Sequence, residues 1–175
     1  MEENAIAKAI LKKRTAQLAR SKQETQGLQK EGVELVVFAL GNESYGIEAR
    51  ALKSILTPKD IIPLPGVAPF IKGITNLSGV LYSVFDLKEF LGLQESAPSE
   101  TPSLLVVNDE VLKVCFLADR IIAFQSINIE NLDTNVSGIK GLKTGLIKGI
   151  TNDTLIVLNM EKILTKIAEE SKVSH

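Results

Sequence analysis

The chain has 175 residues, 45% of them hydrophobic, which is enough for a packed core and argues against a disordered chain. A formal net charge of −1 and a pI near 5.9 exclude a global attraction to nucleic acid or to an acidic membrane and leave only local basic patches open. The single Cys115, in the apolar run Val114-Cys115-Phe116-Leu117, rules out an intrachain disulfide and reads as a buried thiol. No apolar stretch reaches the roughly eighteen residues of a spanning helix, and Lys8, Lys12, Lys13 and Arg14 interrupt any signal-peptide core. A cytoplasmic protein without membrane insertion is expected.

Residues 5–22 hold six Lys or Arg and no acid, Gly or Pro, so residues 1–30 are expected to form a basic helical leader. Ile6, Ala7, Ile10, Leu11 and Leu18 share a broad arc on a helical wheel, interrupted by Arg14 and Lys22. A solvated helix is the plainer reading; a grip on acidic lipid, nucleic acid or an acidic protein face is the alternative.

From Val33 onward the signals are those of strands. Leu35-Val36-Val37-Phe38-Ala39-Leu40 is β-branched and closed by Gly41-Asn42, so a hairpin into Tyr45-Gly46-Ile47 is predicted. Pro63, Pro65 and Pro69 cannot donate to a ladder and mark a rigid connection or a sheet edge. Val80–Phe85 is the next strand. Asp86 and Glu89 form a capping-box start for a short helix that reaches Leu91 and ends at Gly92. Residues 94–103 are polar with two prolines and read as a linker. Leu104–Val107, Val114–Leu117 and Leu155–Leu158 are the further strands, and Asn159 caps a last helix from Met160 to about Ile167. Residues 168–175 are expected to be a frayed tail.

The most informative feature is a repeat. Ile71-Lys72-Gly73-Ile74-Thr75-Asn76 recurs unchanged as Ile147-Lys148-Gly149-Ile150-Thr151-Asn152. Downstream of each copy lie a strand end, a capping residue and a short helix, at Phe85–Leu91 and again at Leu158–Leu164. A duplicated module is expected, with halves at about 33–93 and 104–167; a shared turn chemistry without duplication is the plainer alternative. The expected fold is mainly β: two similar small β-barrel subdomains, or curled sheets, packed together, with short helices and an N-terminal helical extension. Each half is of a size at which a lone core is marginal, so the two should pack together.

Catalytic signatures are missing. The only histidine is His175, which leaves no ordered base for a nucleophile and no His-based metal set, and one Cys cannot build a thiolate zinc site. Residues 138–145 mix Gly, Lys and Thr without the spacing of a phosphate loop, so an ordinary β-loop is expected. Asp86 ends a strand as a receiver-domain phosphoacceptor does, yet the alternation of strands and helices is lacking and capping is the better role. With two Tyr, six Phe and no Trp, no aromatic-studded basic surface for nucleic acid appears. No catalytic residue, cofactor or metal is assigned.

Leu35–Leu40, Glu43-Ser44-Tyr45-Gly46-Ile47, Pro69 through Gly79, Val84-Phe85-Asp86-Leu87 and Phe116 through Ile122 closely resemble the CheW-like domain. The resemblance covers roughly residues 33–165 and is most specific from Phe70 to Asp86. It implies two intertwined five-stranded barrels of the SH3-like kind and a non-enzymatic signalling adaptor. The implied partners are the regulatory domain of a CheA-type histidine kinase and the cytoplasmic tips of methyl-accepting chemoreceptors, with recruitment to receptor arrays at the inner membrane. Where the family usually has Asn-Leu-Arg-Gly, this chain has Asn76-Leu77-Ser78-Gly79. The family associates that Arg with its coupling interface, so a divergent adaptor or a scaffold for a non-motility pathway stays open, as does a module with a cryptic small-molecule or nucleotide site. After the shared hexapeptide one copy continues with Leu77 and Gly79 and the other with Asp153 and Thr154. Lys72, Asn76, Leu77, Ser78 and Gly79 are therefore the expected partner-binding residues, with Leu77 as an exposed contact; a turn leucine tucked into its own barrel is the plainer alternative.

Overall fold

The computed structural model describes residues 32–94, 97–136 and 143–173. The chain divides between Gly32 and Val33, where the β-rich unit begins. The expected leader lies outside the described residues.

Ten strands and two helices follow in chain order among the described residues. They are β1 (Val33–Leu40), β2 (Glu43–Glu48), β3 (Leu52–Leu56), β4 (Ile71–Leu77), β5 (Val80–Asp86), α1 (Leu87–Leu91), β6 (Ser103–Val107), β7 (Val114–Ala118), β8 (Arg120–Ile127), β9 (Ile147–Ile150), β10 (Ile156–Leu158) and α2 (Met160–Val173). They build two five-stranded sheets, one ordered β8-β1-β2-β10-β9 and the other β3-β6-β7-β5-β4. The two orders correspond strand for strand. In each sheet one pair is parallel, β2 with β10 and β7 with β5, and the other pairs are antiparallel.

The sequence repeat is therefore real in the fold, but its halves are not the folded units. Each half runs as a hairpin, three further strands and a helix. The hairpin joins one sheet and the remainder joins the other. The spans 33–93 and 104–167 mark the two copies of the repeat, and each sheet draws on both, as the intertwined barrels implied by the resemblance require. The connections explain this. Only the turn Ala49–Ala51 separates β2 from β3, and only Asp119 separates β7 from β8, so the chain steps directly into the neighbouring sheet. A parallel pair cannot be joined by a tight hairpin, and the other half supplies the long route that β2–β10 and β5–β7 need.

The bulges repeat as well. Ladder registers skip Lys72 between Ile71 and Gly73, and Lys148 between Ile147 and Gly149. They also skip Lys53 in β3 and Ile122 in β8. Beyond each hexapeptide edge strand one more segment adds a bridge, Ile62 to Ile74 and Asp133 to Ile150. Both bridges carry reciprocal backbone hydrogen bonds of 2.8–2.9 Å. The proline-rich segment that contains Ile62 thus borders a sheet edge, as its composition suggested.

Strands buried on both faces read as unbroken apolar runs. Leu35 and Val37 of β1 pack with Ile127, Leu132, Leu155 and Val157 inside the first sheet. Tyr82, Val84, Leu104, Val106 and Cys115 fill the second. The opposite faces meet in a shared core that includes Phe38, Tyr45, Phe85, Phe90, Phe116 and Ile163. Burial pushes the Cys115 thiol up to about 12, so it stays neutral and packs as an apolar group.

Asp86 caps α1 by accepting from the amides of Lys88 at 2.9 Å and Glu89 at 3.3 Å, and Gly92 closes the helix with φ 76°. Only half of the expected capping box forms, because the Asp86 amide donates to the Phe70 carbonyl and the Glu89 carboxylate turns to Lys72. Asn159 caps α2 through its side chain to the Lys162 amide. That helix does not stop near Ile167; it continues to Val173. No Gly or Pro interrupts the run, and Lys166 faces Glu170 one turn on. The frayed tail expected over 168–175 is thus helix for most of its length.

Candidate functional site

The turn end of the β4–β5 hairpin carries four of the five expected site residues. Leu77 pairs with Val80, which leaves Ser78 and Gly79 as a two-residue loop with φ of 53° and 86°. Two successive positive angles make this a type I′ turn, whose twist matches that of the flanking strands. Gly79 adopts such an angle freely; Ser78 does so at some steric cost. The Asn76 side-chain oxygen accepts the Gly79 amide at 2.8 Å and ties the loop to its strand. Asn76, Ser78 and Gly79 are exposed.

Leu77 is not the exposed contact that the sequence suggested. It is half-buried and packs against the cluster of Tyr82, Val84, Leu104, Val106 and Cys115 inside its own barrel. Register explains why. Directly paired residues point to one face of a sheet, and that face alternates along the strand. Leu77 and Val80 share the inner side with Thr75 and Tyr82, whereas Asn76 and Leu81 share the outer side with the Ile62–Ile74 bridge. The exposed leucine beside Asn76 is Leu81, 58% accessible, and Ile62 on the same face is 60% accessible.

Lys72 lies at the other end of β4. As the bulged residue its side chain reaches Glu89 of α1 in an ion pair, so it does not join the turn residues. Its counterpart Lys148 pairs with Glu48. Burial alone would raise the Glu48 carboxyl, but the hydrogen bonds and charges of Lys148 and Arg50 outweigh burial and hold it below the ordinary range. The repeated Lys is thus a structural bulge in both copies.

The repeated Gly is structural for a related reason. A Cβ on Gly149 would meet the Leu132 Cβ at 2.8 Å and the Asp133 oxygen at 3.0 Å, because the bridging segment crosses directly over it.

A groove of about 370 Å³ opens where the sheets meet, lined among others by Glu48, Arg50, Asn108, Lys148 and Glu161. The Glu48 carboxylate already engages both basic groups. Among the described residues no group of three or more His, Cys, Asp or Glu could hold a metal ion, and no helix is long and apolar enough to cross a membrane. Of the phosphate-loop-like segment, residues 138–142 lie outside the described residues, and Thr144–Leu146 forms a short 3-10 turn into β9.

On the first sheet a separate exposed apolar pair appears, Ile122 and Phe124, the latter 72% accessible. Both sit on β8, an edge strand bonded only to β1. Sequence reading singled out neither, since a Phe in a strand is as readily inside as outside.

Comparison with known proteins gives these surfaces a context. The CheW-like domain profile matches residues 34–168. A chemotaxis protein CheW of Thermotoga maritima is 29% identical over 143 residues, covering 80% of this chain and 93% of its own. One from Treponema pallidum is 28% identical over 142 residues, covering 77% and 84%. The crystal structure of the scaffolding protein TtCheW from Thermoanaerobacter tengcongensis has the same fold, with a TM-score of 0.68 at 23% identity over 76% of this chain and 88% of that one. The profile spans both sheets and both copies of the hexapeptide, and the chain belongs to the CheW-like domain family.

Proposed function

We propose that the protein is a chemotaxis adaptor that couples chemoreceptors to a CheA-type histidine kinase and performs no chemistry of its own. The match of the CheW-like domain over residues 34–168 carries this reading. Relatives aligned over most of their length bear the name chemotaxis protein CheW. The adaptor works in the cytoplasm, recruited to receptor arrays at the inner membrane, and binds the regulatory domain of the kinase and the cytoplasmic tip of a receptor.

An adaptor needs two faces, and exposed apolar side chains on both sheets support that arrangement. One face is the outer side of the β4–β5 hairpin, where Asn76, Ser78 and Gly79 frame Leu81 and Ile62. Leu77 holds this turn from inside, and Lys72 fixes the bulge at its base. The other face is β8 with Ile122 and Phe124. Apolar anchors rimmed by polar groups are the usual source of interface energy. Ser78 in place of the family's usual Arg removes a charge from the first face, which fits a dedicated receptor or kinase. Titration against the organism's own kinase regulatory domain and receptor tips tests the reading. Saturable binding to both supports it. Binding to neither, together with a melting temperature raised by a nucleotide, would replace it with a ligand-binding module.

A further inference from the structure

We infer that residues 97–102 are a hinge through which two chains can exchange the two halves of the repeat into a reciprocal dimer. The partner is a second copy of the chain.

Neither half closes a sheet alone. Within a half the ladders are only the hairpins β1–β2 and β4–β5, or β6–β7 and β9–β10. The four ladders that complete the sheets, β1–β8, β2–β10, β3–β6 and β5–β7, all run between halves. Two ion pairs clasp the halves: Lys88 to Asp119 at 2.8 Å, and Glu48 to Lys148. Asp119 also accepts the Gly41 amide at 2.6 Å, so the crossover of the second half is bonded to the first hairpin. Each of these contacts is the same whether the facing half belongs to the same chain or to another. Exchange would alter only the connection.

The described residues of that connection are lightly held. Residues 97–102 form neither helix nor strand, and Ala97, Pro98, Glu100 and Thr101 are exposed. Ser99 makes one bond out of the segment, donating to the Asp119 carbonyl at 2.5 Å. A short flexible tether gives the halves an effective concentration in the millimolar range, which favours the closed monomer, and a tether too short to span the gap reduces it towards zero. Shortening a hinge is the known route to exchanged dimers.

The register supplies a reporter. Glu34 of β1 pairs with Ser126 of β8, both exposed, and antiparallel partners stand within disulfide reach. The native thiol, Cys115, is fully buried and does not compete. Two full-length variants, Glu34→Cys and Ser126→Cys, are mixed, unfolded together, refolded at near-millimolar concentration and oxidised. The expected product is a disulfide-linked dimer joined between positions 34 and 126 of different chains, absent when the same proteins are mixed without unfolding. A second full-length design deletes residues 97–101 and is sized at micromolar concentration, where its dimer fraction should exceed that of the parent at least tenfold. A folded, monomeric deletion variant overturns the proposal. If the deletion variant does not fold, the refolded mixture decides: only monomers, or only random 34–34 and 126–126 links, overturn it as well.

Discussion

Gly73 lies so close beneath Ile62 that a Cβ on Gly73 would stand 2.0 Å from the Ile62 carbonyl oxygen. The same carbonyl accepts the Ile74 amide at 2.9 Å, so the segment cannot retreat without breaking the bridge. Gly73 also has φ 140°, which disfavours any side chain. Gly73→Ala should cost about 3 kcal/mol of stability, and Gly149→Ala, where the nearest contacts are 2.8 and 3.0 Å, about 1–2 kcal/mol. Urea unfolding of the two variants checks the order. An equal or larger loss at Gly149 would show that the bridging segments yield in the opposite sense.

Asp86 satisfies two amides at the start of α1. Asp86→Ala should lower stability by about 1 kcal/mol, and Asp86→Asn, which keeps an acceptor, by a few tenths of a kcal/mol. Denaturant midpoints at constant slope would register the difference.

The Glu48 carboxyl titrates below its ordinary value of 4.5, because Lys148 and Arg50 together overcome the effect of burial. A carboxyl depressed in the folded state contributes stability that is fully present above its unfolded value and is lost as pH falls through the folded value. The stability advantage of the parent over Glu48→Gln should therefore be largest near pH 7 and shrink in acid, as the pH falls below 4.5. Chemical unfolding at a series of pH values measures it. A difference that grows on acidification would contradict the sign.

Much of this was legible before the structure. The hexapeptide announced the duplication because its residues meet the same local demand twice, a bulged Lys followed by a Gly under a crossing segment. Asp86 and Asn159 declared helix starts through side-chain capping, and Gly92 a helix end through its freedom to take a positive φ. The exchange of hairpins between sheets was legible only through the family resemblance, which implies intertwined barrels; the residues alone do not show it, because β1 and β6 are apolar on both faces and any strand could be their neighbour. None of the four edge strands was read as a strand from its residues, the hexapeptides of β4 and β9 being noticed only as a repeat. β3 and β8 each carry a bulge at Lys53 or Ile122, which breaks the period-2 pattern that marks a strand. The site turned on a single register choice. Leu77 and Leu81 flank one turn with equal apolar character, and only the pairing of Leu77 with Val80 sends the first inward and the second outward.

That register makes a paired prediction. Leu77→Asp should cost about 2 kcal/mol or more, since it brings a carboxylate against an apolar barrel interior. Leu81→Asp should leave the fold and its melting temperature nearly unchanged while weakening binding to the kinase or the receptor at least tenfold. Circular dichroism separates the two effects. Normal binding of both partners by folded Leu81→Asp would remove the hairpin from the partner surface.

The central claim, that this protein joins a receptor to a kinase, is tested most directly by co-sedimentation. Membranes carrying the organism's chemoreceptor are spun with its CheA-type kinase, with and without the purified protein. The account predicts that kinase appears in the pellet in quantity only when the protein is present, that the protein pellets with it, and that Leu81→Asp or Phe124→Asp reduces the recovered kinase. Kinase recovery independent of the protein, or a protein that stays in the supernatant with every receptor and kinase of the organism, would contradict it.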